Sequence, residues 1–344
     1  DGQKLSLRVQ SYGAGYISYS ASFTEPWLGG RKPNSLSVSY YHSLFSNGLP
    51  KDNVDRYSFT TDGVTIGLGR RLTWPDDYFQ LYVGFNFQRY NLKNYTNIFT
   101  FGDGTGSYNN FNVDIVLSRN SVDAPIYPRH GSLVSVGLNV TPPYSSFSTT
   151  DYAMLSDDEK YKWIEFHKWV VKASFFTAVH ENLVLMLRAK YGFLGAYDSS
   201  IGITPFERYY LGGDGLSGSN NFDGREIVGM RGYGNETLTP NYWNSSNTGG
   251  TIYSKYTMEL RYPLSLNPNA TIFAATFLEA GNSWMTFTEY QPFGLYKAAG
   301  FGIRVFLPMF GLLGLDWGYG IDDVPGLPNA NRGQFHFSIN SSID

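Results

Sequence analysis

Phe79, Leu81, Val83, Phe85 and Phe87 alternate with Gln80, Tyr82, Gly84, Asn86 and Gln88. Successive side chains of a strand point to opposite faces, so this spacing predicts a β-strand over 78–91 with one apolar face. The same period of two recurs along the chain. Leu5, Leu7 and Val9 oppose Lys4, Ser6, Arg8 and Gln10 within 3–10. Ile17, Tyr19, Ala21 and Phe23 oppose Ser18, Ser20 and Ser22 within 15–27. Leu36, Val38 and Tyr40 oppose Ser35, Ser37 and Ser39 within 34–44, and Val64, Ile66 and Leu68 oppose Thr65, Gly67 and Gly69 within 57–72. Further strands are expected over 109–120, 131–141, 162–178, 182–194, 251–263, 269–281, 297–308, 310–320 and 332–340, about 14 in all.

Loop length alternates as well. Connections at 27–33, 73–77, 124–130, 179–181, 264–268 and near 308–309 are short. Those at 45–56, 92–108, 142–161, 195–250, 282–296 and 321–331 are mostly longer; only the opening connection, near 11–14, is short on the long side. Short turns on one side and long loops on the other mark an outer-membrane β-barrel. A soluble sandwich has no reason to sort its loops, and a propeller needs an internal repeat that this chain lacks. The expected fold is all-β, an antiparallel transmembrane β-barrel. Residues 1–344 read as one barrel domain with a long inserted loop at about 195–250.

Composition agrees with that fold. Aromatic residues make up 17% of the 344 and charged residues only 16%. Mean hydropathy is slightly negative, as it is in a barrel whose lumenal face is polar. No apolar run is long enough for a transmembrane helix. With 26 Lys and Arg against 29 Asp and Glu there is no basic footprint for nucleic acid. Cysteine is absent, which excludes disulfides and thiolate metal sites. The opening DGQKLSLRVQ is already strand-like and carries no signal peptide, so the sequence reads as a mature or truncated piece.

The longest non-strand segment, 195–250, carries GMRGYGNETLTP at 229–240. A loop of this length in a compact protein is usually functional or disordered. Ile252, Tyr256, Met258, Leu260 and Tyr262 share one face of the strand after it, leaving Thr251, Tyr253, Lys255, Thr257, Glu259 and Arg261 for the lumen. Leu313, Leu315, Trp317 and Tyr319 place Asp316 inside, and the cost of a charge facing lipid places Glu279 there too. Three lumenal carboxylates then require cations. Arg231, with its planar fork, can satisfy them, and Gly232 and Gly234 would let the loop backbone approach the wall. Spacing alone equally allows a solvated Arg231, with Glu259 paired to Arg261 or Lys255.

Other patterns carry no function. GDGLSG at 213–218 has the glycine spacing of a dinucleotide turn but is followed by SNNFDGRE rather than a helix. The five histidines, 42, 130, 167, 180 and 336, show no metal-ligand spacing, and no motif supports a Ser/His/acid set. The Asn244–Ser246 sequon means little in a bacterial-type barrel. No cofactor and no enzymatic activity are expected.

MRGYGNETLTP resembles the [V/M]RG[F/Y] loop motif of the Omp85 superfamily, the outer-membrane insertases and exporters. FERYYLGGDGLSGSN resembles the family's approach to that motif, and YPRHGS at 127–132 its YP-x-x-G-S turn. MELRYPL, FLEAGN and LDWGYG resemble its closing strands, so the likeness runs along nearly the whole chain. Within the superfamily the likeness is to the BamA-like factors that assemble outer-membrane β-barrel proteins. The resemblance implies that Arg231, followed by Gly232 and Tyr233, lies inside the barrel and pairs with Glu259 and Glu279; Asp316 extends that set. It implies a 16-stranded barrel whose first two strands, with the periplasmic POTRA domains, precede Asp1. It implies a lateral seam, of which the last strand, GQFHFSIN, is present. Phe335, Phe337 and Ile339 alternate there with Gln334, His336 and Ser338, and SSID extends past it. Implied partners are nascent outer-membrane β-barrel proteins, accessory assembly lipoproteins and outer-membrane lipid, in the outer membrane of a Gram-negative-type bacterium. The rival readings are an exporter of the same superfamily, such as a two-partner secretion translocator, and a passive porin.

Overall fold

A computed structural model describes residues 2–30, 34–96, 103–214, 225–240, 249–309 and 311–339. Most of the GDGLSG run, the Asn244–Ser246 sequon and the SSID tail lie outside them. The wall strands are β1 (Lys4–Tyr12), β2 (Tyr16–Glu25), β3 (Asn34–Ser46), β4 (Ser58–Arg71), β5 (Phe79–Lys93), β6 (Gly106–Asn120), β7 (Gly131–Val140), β8 (His167–His180) and β9 (Leu183–Gly195). After the long loop come β12 (Ile252–Asn267), β13 (Ala270–Trp284), β14 (Tyr296–Leu307), β15 (Gly311–Gly320) and β16 (Gln334–Ile339). They form one 14-stranded sheet in chain order, with β1 and β16 at its edges. β5, β6 and β13 have 15 residues and β12 has 16, more than the roughly 9–11 a tilted strand needs to cross a bilayer.

Three details depart from the sequence pattern. β12 continues to Asn267, so the turn expected over 264–268 shrinks to Pro268 and Asn269, with a register shift between Pro263 and Ser265 accommodating the proline. The long loop is not wholly irregular: β10 (Tyr209–Leu211) pairs in parallel with β11 (Glu226–Val228). The 142–161 connection carries short helical turns, including Asp157–Lys160. Such short pieces have no room to display a period.

The chain divides into two compact units. One comprises residues 1–118, 137–169 and 194–206; the other comprises 119–136, 170–193 and 207–344. In the first, neighbouring strands pair antiparallel from β1 to β5. Its strands carry a run of linked side-chain amides. Thr65 donates to Asn86 Oδ1 (2.7 Å), and Asn86 Nδ2 lies 2.9 Å from Asn112 Oδ1 and 2.7 Å from Asp114 Oδ2. Asn112 donates in turn to Asn110 (3.0 Å). Toward the long loops, Phe45, Phe59 and Tyr95 pack as a buried aromatic group.

In the second unit an apolar cluster of Tyr127, Phe176, Val184, Met186 and Phe273 packs inside the strands. Tyr127, from YPRHGS, anchors its turn: the hydroxyl lies 2.9 Å from the carbonyls of both Asn182 and Arg261. In the same turn the Asp123 carboxylate accepts the backbone N–H groups of Arg129 (2.9 Å) and His130 (3.2 Å). Slight burial acts to raise the Asp123 pKa, but these backbone donors prevail and hold it below the ordinary value.

Candidate functional site

Strand phase decides which side chains can meet inside the second unit. Along β12, Thr257, Glu259 and Arg261 are buried while Met258, Leu260 and Tyr262 are exposed. β13 turns Phe273, Phe277 and Glu279 inward and leaves Leu278 exposed. β15 buries Asp316 and exposes Leu315 and Tyr319. On β16, Phe335, Phe337 and Ile339 are 73%, 45% and 51% exposed, while His336 between them is buried. The register places Thr257 opposite Glu279 and Asp316 opposite His336.

The long loop enters this inner face through the β10–β11 pair and a backbone bridge between Gly213 and Met230. Arg231 follows that bridge. Its Nη2 lies 2.8 Å from both Glu279 Oε1 and Glu259 Oε1. Its Nε donates to Glu279 Oε1 (3.1 Å), and its backbone N–H donates to Glu279 Oε2 (2.9 Å). Glu279 therefore holds both the side chain and the main chain of the motif arginine. Asp316 is more distant: its Oδ1 lies 3.6 Å from Arg231 Nη1, a buried nitrogen with no hydrogen-bond partner. The guanidinium carbon sits 3.6 Å from the centroid of the Phe277 ring, close enough for a cation–π contact.

Each carboxylate also has a cation from the wall. Glu259 binds Arg261 through Nε (2.9 Å) and Nη2 (2.8 Å), so the local pairing and the loop pairing coexist on one side chain. Lys255 reaches Glu279 (3.0 Å) rather than Glu259, and donates to the Gly229 carbonyl (2.6 Å). Arg304 grips Asp316 with two parallel bonds of 2.7 and 2.8 Å. Desolvating so many charges is costly, and the close pairing of each carboxylate with a cation offsets that cost.

Gly232 and Tyr233 fix the loop against the wall. Gly232 has a φ of +86°, and a Cβ there would stand 2.8 Å from the Tyr319 carbonyl carbon. On the other side of the contact, a Cβ on Gly318 would lie 2.6 Å from the Gly232 nitrogen. Two backbones thus touch where only glycine fits. The Gly232 N–H donates to His336 Nε2 (2.8 Å). The Tyr233 hydroxyl lies 2.7 Å from the Lys297 carbonyl and accepts the Asp322 N–H (3.2 Å). A cavity of about 430 Å³ adjoins the cluster, lined by Arg188, Arg231, Lys255, Glu259 and Asp316 among others.

The structure thus brings Arg231 together with Glu259 and Glu279, and sets Asp316 at the margin, held mainly by Arg304. Phe335, Phe337 and Ile339 lie on the opposite, exposed face. Sequence reasoning missed Arg304, Phe277 and His336 as members of the cluster. Their inward phase was the available signal. Gly318 and Gly320, at alternate inward positions of LDWGYG, were the signal for the close approach. Among the described residues, no group of three His, Cys, Asp or Glu side chains is placed to hold a metal ion.

A model of the Omp85 superfamily domain matches residues 1–343. The chain belongs to the Omp85 superfamily. Over 303 residues this Omp85 chain is 23% identical to the outer membrane protein assembly factor BamA of Neisseria meningitidis serogroup B, a match covering 82% of the chain and 33% of the relative. The structure of BamA from Haemophilus ducreyi lacking POTRA domains 1–3 is similar with a TM-score of 0.67 at 17% identity, covering 98% of this chain and 64% of that one. CdiB from Escherichia coli is similar with a TM-score of 0.52 at 15% identity, covering 94% and 52%. The Omp85 chain spans about a third of the length of the curated relative it matches. Its fold is the all-β, antiparallel transmembrane β-barrel of this family, with 14 wall strands among the described residues.

Proposed function

We propose that this Omp85 chain is the barrel part of an outer-membrane insertase, which folds and inserts β-barrel proteins into the outer membrane of a Gram-negative-type bacterium. Residues 1–344 act as one barrel domain, and the long loop is its internal brace. The mechanism is non-enzymatic and uses no cofactor. An incoming precursor adds its strand at the edge of β16 by β-augmentation, its backbone groups pairing with those the edge leaves open. Nascent outer-membrane β-barrel proteins are the clients, with accessory assembly lipoproteins and outer-membrane lipid as further partners. Phe335, Phe337 and Ile339 form the lipid-facing side of that seam strand.

The observation that carries this reading is the placement of Arg231, Gly232 and Tyr233 on the strands leading to the β16 edge. Arg231 ties the loop to β12 and β13, Gly232 reaches β16 through His336, and Tyr233 holds the end of β14. A loop fixed at these points would hold the wall in shape while its last strand exchanges partners. The likeness to the assembly factor BamA favours insertion over export.

Depletion of this protein in its own organism, followed by quantification of the outer-membrane proteome, tests the proposal. Broad loss of unrelated barrel proteins is expected. Loss of one secreted protein alone would make it an exporter, and loss of small-solute uptake alone a porin.

A further inference from the structure

Among the described residues β16 pairs with β15 alone, which leaves its other side as an edge of the sheet. The long loop touches this edge strand at two consecutive positions. At His336 the ring Nε2 accepts the Gly232 N–H (2.8 Å). At Phe337 the backbone N–H donates to Asp214 Oδ2 (3.2 Å). Asp214 Oδ2 also lies 3.9 Å from His336 Nδ1.

Asp214 is held in that position from behind. Its own N–H donates to Asn235 Oδ1 (3.2 Å). The preceding residue, Gly213, exchanges backbone bonds of 3.1 and 2.9 Å with Met230, one residue before the motif arginine. The Asp214 side chain is only 7% exposed. The contact is therefore part of the same docked loop that carries Arg231.

Alternate backbone N–H groups of an edge strand point away from its neighbour, and an added strand would pair with these through carbonyl oxygens. A carboxylate oxygen fills the same role, with the added strength of a charged acceptor. We propose that Asp214 is a removable cap on the β16 edge: it holds the Phe337 donor until the backbone carbonyl of an added strand takes its place. The ligand class is an extended peptide segment with an acceptor opposite Phe337. Asp214 then sets a threshold, because a strand too short or too irregular to offset the lost bond does not displace it. This inference rests on the reading that β16 accepts strands.

The test uses the full chain in detergent micelles. The probe is a synthetic ten-residue peptide of alternating phenylalanine and threonine. Two quantities are read: amide hydrogen exchange at Phe337 without peptide, and peptide affinity. Asp214→Ala is expected to speed exchange at Phe337 and to tighten peptide binding about tenfold, the worth of one hydrogen bond to a charged group. Asp214→Asn keeps an acceptor oxygen and is expected to shift both in the same direction by less; it carries the test if the alanine variant does not fold. Unchanged exchange at Phe337 in both variants would overturn the cap. Faster exchange with unchanged affinity would overturn its role as a threshold. Absence of peptide binding to all three proteins would count against strand addition at β16 and remove the threshold with it, while the exchange rate still reports whether Asp214 caps the edge.

Discussion

The two units solve the problem of a polar inner face in different ways. In the first, Thr65, Asn86, Asn110 and Asn112 are linked by amide and hydroxyl hydrogen bonds, with the Asp114 carboxylate accepting from Asn86, and these partners all lie on the wall strands β4, β5 and β6. In the second, the inner face carries Glu259, Glu279 and Asp316 against Lys255, Arg261 and Arg304, and the set takes in Arg231 from a loop. Neutral amides need no more than a neighbour of the right phase. Buried carboxylates need enough cation to offset their desolvation, so charge turns a sheet surface into a docking site for a distant segment. The loop's position is thereby tied to the wall's chemistry.

The contrast sets the order of expected effects. The largest is for Glu279→Ala, which leaves Arg231 and Lys255 without their shared acceptor; breaking a buried charge pair of this kind costs about 3–5 kcal/mol. Thermal or denaturant unfolding of the purified barrel should show that loss, and a shift under about 1 kcal/mol would make the cluster ordinary surface chemistry. Next is Gly318→Val, whose side chain must push Gly232 off β15. Overpacking here is expected to cost about 1–3 kcal/mol, and limited proteolysis should show new cleavage within 229–240 with the wall strands intact.

In the first unit, Asn86→Ala should cost less than Glu279→Ala, about 1–3 kcal/mol, by leaving Thr65 and Asn112 partly unpaired. An equal or larger loss in the same unfolding assay would erase the distinction between the two faces.

The smallest effect concerns the Asp123 turn. Its carboxyl is held below the ordinary value, so its contribution is fully present above the unfolded pKa, about 3.9, and is lost as pH falls through the lower folded value. Amide exchange at Arg129 and His130 should accelerate, beyond its intrinsic pH dependence, only in that acid window; acceleration near neutral pH would point to another group.

Most of the wall was legible because a period of two is written in single residues. Phe79 to Gln88 declare β5 on their own, and the 264–268 turn was misplaced only because Pro263 and Ser265 bend the register without ending the strand. The lumenal direction of Glu259 and Asp316 followed from Met258 and Leu315 beside them. The meeting of Arg231 with these carboxylates did not follow from spacing, which left a solvated Arg231 open; the family resemblance supplied it. Arg304 was missed because its relation to Asp316 depends on the β14–β15 register, where Gly302 faces Asp316 and Arg304 lies one step along the same face. Asp214 could not be found at all from sequence. Its contact with Phe337 spans 123 residues and depends on how the loop folds.

The central claim is that Arg231 docks the loop through Glu279. A double-mutant cycle on the purified barrel measures this directly, comparing unfolding of Arg231→Ala, Glu279→Ala and the double variant. Since the two residues share one buried network, the cycle should give a coupling of about 2 kcal/mol or more, within the range found for close charge pairs. Additive losses, with a coupling below about 0.5 kcal/mol, would contradict the claim and leave the loop held by something other than its arginine.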